Sequence, residues 1–309
     1  MAVCGLGALL LIAGVESRRQ ANLGKCVQQL RQLGAVSSAY AADNNGLSAS
    51  FSWQAGDSFS EWDDLNDASS HFQAAINQMV DIARRHVDPS IPYSRAFLPH
   101  LFYSYLVLAD EMDLALPRAE VMCPEDEVRR CWQSNWASFC DCPLRPDCEG
   151  AGWRWPFSSS YELGPTFFAG NQSVFQAPRH SSFFLTGEQD WGGRRMSRVK
   201  YPSQKAMIWE STARHSGPRD IWHAYDEART PIVFVDGSVS VRATADANEG
   251  WHPMLQKSWI QMSYFYRPDN WEAPTLSGEF QDFVVGHYRW TRNGLAGRDF
   301  GGPEDMPPG

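Results

Sequence analysis

Residues 2–46 decide the fold: they read AVCGLGALLLIAGV (2–15) and then ESRRQANLGKCVQQLRQLGAVSSAYAADNNG (16–46). The first part is apolar and carries no charge. In the second part, apolar and small residues recur at the spacing of a helix face, i, i+3 or i+4, and i+7. One stripe then carries Leu23, Val27, Leu30, Leu33, Gly34, Ser37, Tyr40 and Ala41. The pattern predicts one continuous helix, apolar at its start and amphipathic after it, that ends at Asp43-Asn44-Asn45-Gly46.

The apolar run from Ala2 to Val15 has 14 residues, whereas a helix that spans a bilayer needs roughly 17 to 25. It could be an incomplete span, the apolar region of a signal peptide, or a segment that packs on protein. A signal peptide needs basic residues before the run and small residues at a cleavage site, and only Met1 precedes Ala2 here. Arg18-Arg19 after the run is typical of a membrane segment meeting a basic interface, which favours a membrane segment.

Several short motifs occur one after another along nearly the whole chain. The first are Leu30-Arg31-Gln32 with Gly34, inside Arg18 to Gly34, and the helix exit Tyr40 to Gly46, of the form Y-x-x-D-x-x-G. The later ones are Trp62-Asp63-Asp64-Leu65, Cys123-Pro124-Glu125-Asp126, Val199 to Lys205 with Pro202 and Ser203, and Phe234-Val235-Asp236-Gly237-Ser238-Val239. In these motifs the chain resembles the bacterial type IV pilin-like and type II secretion pseudopilin-like proteins, which carry a prepilin-type N-terminal helix and a C-terminal H-x9-DG domain. His223 stands in the place of that histidine, with twelve residues before Asp236 where the family has nine.

The resemblance implies an α+β, pilin-like fold in which a long N-terminal helix packs on an antiparallel β-sheet with a loop-rich, disulfide-tied insertion. Residues 1–46 would form the helix, with a membrane or assembly part at 2–15 and an amphipathic part at 16–46. Residues 47–309 would form a globular domain in the periplasm or at the cell surface, anchored in the inner membrane. Other pilin-like subunits are the expected partners of the helix. Because no prepilin leader precedes Ala2, we expect either a natural start upstream of Met1 or a chain that is not processed.

Composition and motifs exclude several classes of function. The 309 residues, 43% of them hydrophobic, suffice for one large domain or two small ones. The net charge of −9 argues against a nucleic-acid partner, since phosphate binding needs a basic face. The sequence has no G-x-S-x-G, H-E-x-x-H, P-loop or dinucleotide motif. This absence removes only the commoner classes of enzyme, and our prediction is that the protein is not an enzyme.

The seven cysteines are spread unevenly. Cys4 lies in the apolar run and Cys26 on the amphipathic helix, and the others are Cys123, Cys131, Cys140, Cys142 and Cys148. The last five lack the C-x2-C pair and the intervening histidine that are typical of zinc sites, so disulfides are the favoured interpretation. Disulfides also suit an exported protein. We predict that Cys26 pairs with Cys123, tying the helix to the globular part, and that the other four form two bridges of open connectivity.

The rest of the chain predicts helices first and strands later, an α+β order. A helix is predicted over Asp67 to His86. The apolar segment Phe97 to Leu108 could be a strand or a helix, and its length and the spacing of Leu101, Tyr105 and Leu108 favour a helix. Residues 117–198, rich in Trp, Gly, Pro and Cys, predict a loop-rich insertion. Asp236-Gly237 between two β-prone runs predicts a hairpin over about 231–243 with a type I′ turn. Further strands are expected at Lys205 to Glu210, Ser258 to Tyr266 and Asp282 to Trp290.

Two groups of polar residues are candidates for a metal or acid/base site. His223, Asp226 and Glu227 with Asp236 could form a metal or acid/base cluster, but a turn role for Asp236 and a packed His223 are the favoured interpretation. Acidic residues could bind calcium, although no EF-hand pattern is present. They are Glu61, Asp63, Asp64, Asp67, Asp110, Glu111 and Asp113. We predict no cofactor, with calcium as the one alternative.

Thirteen tryptophans leave a second function open. Rings in loop-like contexts could stack on sugars or partner proteins, or they could fill the core of a loop-rich domain. Those in question are Trp153, Trp155, Trp191, Trp222, Trp251 and Trp271.

The leading hypothesis is a membrane-tethered, exported pseudopilin-like subunit. The alternative is a secreted or anchored ligand-binding or adhesive module that uses these loops.

Overall fold

The computed structural model describes residues 3–95, 101–146, 148–169, 179–180, 192–250 and 263–302, and side chains from Gly14 onward except that of Val15. The α-helices are α1 (Val3–Asp43), α2 (His71–His86), α3 (Tyr105–Glu111) and α4 (Glu127–Ser134). The strands are β1 (Tyr161–Leu163), β2 (Ala206–Glu210), β3 (Thr212–Ala213), β4 (Ile221–Trp222), β5 (Arg229–Phe234), β6 (Val239–Ala243), β7 (Ser263–Tyr266) and β8 (Asp282–Val285). Short 3-10 helices occupy Asp63–Leu65, Ala119–Val121, Trp136–Asp141, Gly150–Phe157, Pro165–Phe167, Met196–Arg198, Thr244–Asp246, His287–Trp290 and Gly294–Ala296. The described part of the chain is a mixed α+β protein.

The predicted N-terminal helix is confirmed as one element, α1. It ends where Asn45 and Gly46 take positive φ, and the Gly46 N–H donates to the carbonyl of Ala41, a helix end that glycine favours. The predicted stripe faces the protein: Leu30, Gly34, Ser37 and Ala41 are buried, and Leu23, Val27, Leu33 and Tyr40 are half-buried. The apolar part of the prediction, residues 2–15, falls on side chains that are not described, Gly14 excepted.

A four-stranded antiparallel sheet of order β1-β2-β5-β6 receives this helix. Helix α1 lies mainly on β5, with further contacts to β2 and β6. At the closest approach, a Cβ on Gly34 would stand 2.7 Å from the Cγ2 atom of Val233 on β5. Because glycine has no Cβ, it allows the two elements to come this close. The sheet thus fixes where each side chain of the second half of α1 points.

Helix α2 begins four residues later than predicted. Asp67 has positive φ and Ser70 is extended, and the Ser70 side chain accepts a hydrogen bond from the N–H of Gln73 as an N-cap. Helix α3 also starts late, at Tyr105, because Leu101 has positive φ. The start of that prediction, Phe97 to His100, lies outside the described residues.

The hairpin of β5 and β6 is confirmed, but its predicted type I′ turn is wrong. Only Gly237 has positive φ, at 82°, whereas a type I′ turn needs it at both central residues. Val233 pairs with Val239, and the Gly237 N–H donates to the carbonyl of Phe234. The Asp236 carboxylate accepts from the N–H and hydroxyl of Ser238. This side-chain cap supports a longer loop with a single left-handed residue.

Segment 117–198 differs in one respect from the predicted insertion. It is rich in short 3-10 helices and carries two disulfides, as expected. However, it also supplies β1, which pairs with β2 at the edge of the main sheet. The predicted strand at 205–210 corresponds to β2, the described part of the strand predicted at 258–266 corresponds to β7, and the strand predicted at 282–290 is shortened to β8. Residues 258–262 lie outside the described part.

Candidate metal centre at the helix–sheet junction

Four side chains from different parts of the sequence meet where α1 crosses the end of the sheet. Cys26 lies on the buried face of α1, one turn before Leu30, and Cys123 follows the helical turn Ala119–Val121. Glu210 is the last residue of β2, and His215 follows β3. Within the described residues this is the one group of three or more His, Cys, Asp or Glu side chains whose ligand atoms converge, all within 4.8 Å of one another.

The distances inside this cluster are short. The Sγ atoms of Cys26 and Cys123 lie 3.1 Å apart, and Nε2 of His215 lies 3.2 Å from each sulfur. The same Nε2 lies 3.6 Å from Oε2 of Glu210. All four residues are buried, with exposed fractions of 0% to 3%. One imidazole nitrogen, two sulfurs and one carboxylate oxygen thus face a common point from which solvent is excluded.

Burial and mutual contact shift the protonation of these groups. The hydrogen bond with Cys123, opposed by burial and assisted by His215, lowers the pKa of Cys26 to about 5. Burial, together with the contact to Cys26, raises the pKa of Cys123. Burial and the charge of Cys26 raise the pKa of Glu210 to about 7. Burial opposes protonation of His215, but the contacts with Cys26 and Glu210 outweigh it and raise its pKa. The two sulfurs therefore share one proton more readily than they hold two.

A layer of buried ion pairs surrounds the cluster. Arg214 contacts Oε1 of Glu210 at 3.3 Å and the carboxylate of Asp126 at 2.9 Å. Asp126 also pairs with Arg129 at 2.9 Å and accepts from the hydroxyl of Ser160. Burial alone would raise the pKa of Asp126, but the two guanidinium groups lower it to about 2. Arg214 therefore supplies the positive charge that a buried Glu210 carboxylate needs.

The predicted disulfide between Cys26 and Cys123 is absent, since both residues are free thiols. Their proximity agrees with the prediction, but the separation of 3.1 Å exceeds the roughly 2.05 Å of a disulfide bond. The other four cysteines do form two bridges, Cys131–Cys142 and Cys140–Cys148. Both bridges close short loops around Trp132 and Phe139.

The sequence predicts two of the four cluster residues. It indicates that Cys26 and Cys123 form a pair, but it assigns Glu210 and His215 to no site. One signal was present: Glu210 ends an apolar run that predicts a buried strand, where an ionisable residue needs a partner. Nothing in the spacing of His215 indicates that it meets a cysteine 189 positions earlier in the sequence.

The remaining motif residues lie apart from this cluster. On α1, Leu30 and Gly34 are buried and Arg31 and Gln32 are exposed. The rest were Trp62, which packs under Arg84; Pro124, half-buried beside Cys123; and Pro202, Ser203, Asp236 and Gly237, which are exposed. The Pro202 carbonyl accepts from the N–H of Asp236 at 3.2 Å, so two of the motifs meet at the hairpin turn.

His223 does not join Asp236. It is fully buried, its Nδ1 lies 3.1 Å from the carbonyl of Ser211, and its ring packs 5.0 Å from that of Trp222. Burial and the nearby Arg289 lower its pKa well below the ordinary range. Asp226, Glu227 and Asp236 are exposed. The packed histidine that the sequence favoured is what the structure has.

The acidic residues weighed for calcium are divided among other partners. Asp64 forms a bidentate pair with Arg84, and Asp110 contacts Arg85 and His86. Asp67 accepts from the hydroxyl of Ser58. Their oxygens do not converge on one point, as a calcium ion requires.

The described tryptophans are packed, with none in the exposed class. Trp132, Trp155 and Trp271 pack edge to face with centroids 4.8 to 5.9 Å apart. Trp222 is buried and stacks on Tyr266. Trp191 and Trp251 lie outside the described residues. The described rings serve the core, which gives no support to the ligand-binding alternative.

Comparison with known proteins gives no relative from which a role could be transferred. The chain matches no protein-family model, no curated protein and no solved structure. Over the part of the chain that the structure describes, no helix has an apolar stretch long enough to cross a bilayer.

Proposed function

We propose that the protein is a pseudopilin-like structural subunit, tethered at the inner membrane through the start of α1, with the domain after about residue 47 exported. In this proposal α1 packs against the corresponding helices of neighbouring subunits in a type II secretion or type IV pilus-like filament. One observation carries the proposal: α1 is a single 41-residue helix, and it lies on the sheet in its second half, where Gly34 meets Val233.

The division of α1 supports a role outside its own domain. At 1.5 Å per residue the helix is about 60 Å long. Its first described links to the globular part are the hydrogen bond of Arg19 to the carbonyl of Gly217 and that of Asn22 to Glu125. A helix is stabilised mainly by packing of one face. In this proposal the part of α1 before Arg19 packs against a neighbouring subunit or lipid.

The face of α1 turned away from the sheet carries small residues, which leave room for such a partner. Gly14, Ser17, Ala21 and Gly24 follow one another at spacings of three and four residues, and all four are exposed. Small residues at these spacings allow helices to approach closely in membranes. Packing of a helix from one subunit on a different face of the next is heterologous and builds filaments when it does not close.

Cysteine cross-linking in cells tests this proposal. With Cys4 replaced by serine, a thiol-attached photo-crosslinker at Ser17→Cys or Ala21→Cys should give covalent links between subunits in intact membranes, because it reacts with whichever face of the neighbouring helix it meets. The matched control is Glu279→Cys, also exposed but on the globular domain, which should give none. The same experiment with residues 2–15 deleted should lose both membrane association and cross-linking.

The proposal fails if cross-linking is equal at Ser17 and Glu279, or if the deletion leaves the location and assembly of the protein unchanged. A cross-link to a protein other than a pilin-like subunit, identified by mass spectrometry, would also contradict it.

A further inference from the structure

We propose that Cys26, Cys123, Glu210 and His215 bind one Zn²⁺ in a closed structural site that fastens α1 to the globular domain. This inference is independent of the proposed function, because it concerns how the helix is held and not what it binds.

The donor atoms are the ones that zinc takes in proteins. Zn²⁺ is bound by cysteine sulfur at about 2.3 Å, histidine nitrogen at about 2.0–2.1 Å and carboxylate oxygen at about 2.0–2.2 Å, in tetrahedral geometry. Around such an ion, adjacent donors lie roughly 3.3–3.8 Å apart. Four of the six donor separations are 3.1, 3.2, 3.2 and 3.6 Å and need adjustments of about half an ångström, slightly more for the two sulfurs. The other two, from the sulfurs to the carboxylate of Glu210, lie within 4.8 Å and close as the carboxylate turns toward the ion.

A buried oxygen without a hydrogen bond points to the same ligand. Oε2 of Glu210 is buried and accepts no hydrogen bond, although it lies 3.6 Å from Nε2 of His215, while Oε1 is held by Arg214. A buried carboxylate oxygen without a hydrogen bond is costly. A disulfide between Cys26 and Cys123 would leave this oxygen as it is. A cation at the centre of the cluster would satisfy it.

The charges also balance. Two thiolates neutralise one Zn²⁺, and Arg214 neutralises the carboxylate of Glu210 at 3.3 Å. Binding would displace the thiol protons, as metal binding to cysteine does. The four ligands are buried, with no open position for water or substrate. A closed four-ligand site is typical of structural zinc, not of catalytic zinc.

The other cysteines give a chemical reason for a metal. The bridges Cys131–Cys142 and Cys140–Cys148 indicate an oxidising compartment. In such a compartment two thiols whose sulfurs lie 3.1 Å apart would readily be oxidised to a disulfide. Thiolates that are coordinated to zinc persist as thiolates, so the metal accounts for a reduced pair beside two oxidised ones.

Metal analysis of the full-length protein tests the proposal. The protein is purified without chelator or added thiol. Native mass spectrometry and elemental analysis should find one zinc per chain. After the zinc is removed under reducing conditions, Co²⁺ added alone should bind to the empty site. The bound ion should give the absorption of tetrahedral cobalt with a thiolate charge-transfer band.

Variants then assign the ligands. His215→Gln and Glu210→Gln should each weaken Zn²⁺ binding by more than about tenfold, since one of four ligands is lost. Cys26→Ser with Cys123→Ser should abolish the cobalt charge-transfer band. The matched control, Cys140→Ser with Cys148→Ser, removes two cysteines outside the cluster and should leave zinc stoichiometry at one.

If a variant does not fold, the wild-type zinc content and cobalt spectrum decide alone. The proposal is overturned if the wild-type protein carries no zinc and takes up no cobalt, or if non-reducing peptide mapping finds Cys26 linked to Cys123. Retention of the zinc by the Cys26→Ser, Cys123→Ser variant would overturn it as well.

Discussion

At the scale of single residues, the carboxylate of Asp126 joins a helix cap and two buried ion pairs. Its carboxylate caps α4 by accepting from the N–H of Arg129, and it pairs with the guanidinium groups of Arg129 and Arg214. All three side chains are buried. Arg214 in turn contacts Glu210 of the proposed zinc site. Asp126 therefore stabilises the cluster indirectly, because it holds Arg214, which contacts Glu210.

We expect Asp126→Asn to lower the free energy of unfolding by about 3–5 kcal/mol, because it leaves buried guanidinium charges without compensation. Asparagine is as good an N-cap as aspartate, so the helix cap is retained and the change isolates the charge. Urea unfolding followed by circular dichroism measures the difference. The control is Glu127→Gln, the exposed neighbour at the start of the same helix, which should change stability by less than about 0.5 kcal/mol. Equal stabilities of the two variants would contradict the assignment.

At the scale of elements, the contact between α1 and β5 depends on one glycine. Gly24 and Gly34 both lie inside α1, but a Cβ at Gly24 meets nothing within 4 Å, whereas one at Gly34 meets Val233 at 2.7 Å. The two positions therefore separate helix propensity from packing.

Gly24→Ala should stabilise the protein by about 0.5–1 kcal/mol, the gain of alanine over glycine in a helix interior. Gly34→Ala gains the same propensity but forces α1 away from β5, and overpacking costs about 1–3 kcal/mol. Thermal unfolding should show a higher midpoint for Gly24→Ala and a lower one for Gly34→Ala. Two equal increases would mean that α1 does not pack on β5 as described.

At the scale of the whole molecule, buried acids make stability depend on pH. Glu162 on β1 is buried near His223 and Arg289. Burial, only partly offset by Arg289 and Arg129, raises its pKa from 4.5 to about 7. The folded state therefore keeps this proton over a range in which the unfolded state has released it. Because the unfolded state binds fewer protons there, the free energy of unfolding falls as pH rises from about 4.5 to 7.

We expect Glu162→Gln to remove this part of the dependence. Its free energy of unfolding relative to the wild type should increase between pH 4.5 and 7, by up to about 1.4 kcal/mol per pH unit. Chemical unfolding at several pH values with chelator present measures the slope. Exposed Glu279→Gln serves as control and should leave the slope as in the wild type. Parallel curves for Glu162→Gln and wild type would show that Glu162 is not buried as a neutral acid.

The sequence predicted the elements better than their ends. The α1 stripe was correct because a helix face is set by local spacing, and β2 and the β5–β6 hairpin were correct because their apolar runs are short and bounded. The start of α2 and the turn at Asp236-Gly237 were wrong. In both places a side chain, Ser70 or Asp236, bonds to the backbone and chooses among local conformations of similar energy.

By itself the sequence determined a long helix followed by an antiparallel sheet, since hydrophobic periodicity acts within a few residues of each position. It also suggested a pairing of Cys26 with Cys123, whose sulfurs do lie close together although they form no disulfide. Only the tertiary structure decided what they meet. Glu210 and His215 reach Cys26 from 184 and 189 positions away, through the pairing of β2 in the sheet and the course of the chain after β3. Contacts over such distances are set by how the elements pack and leave no mark in local spacing.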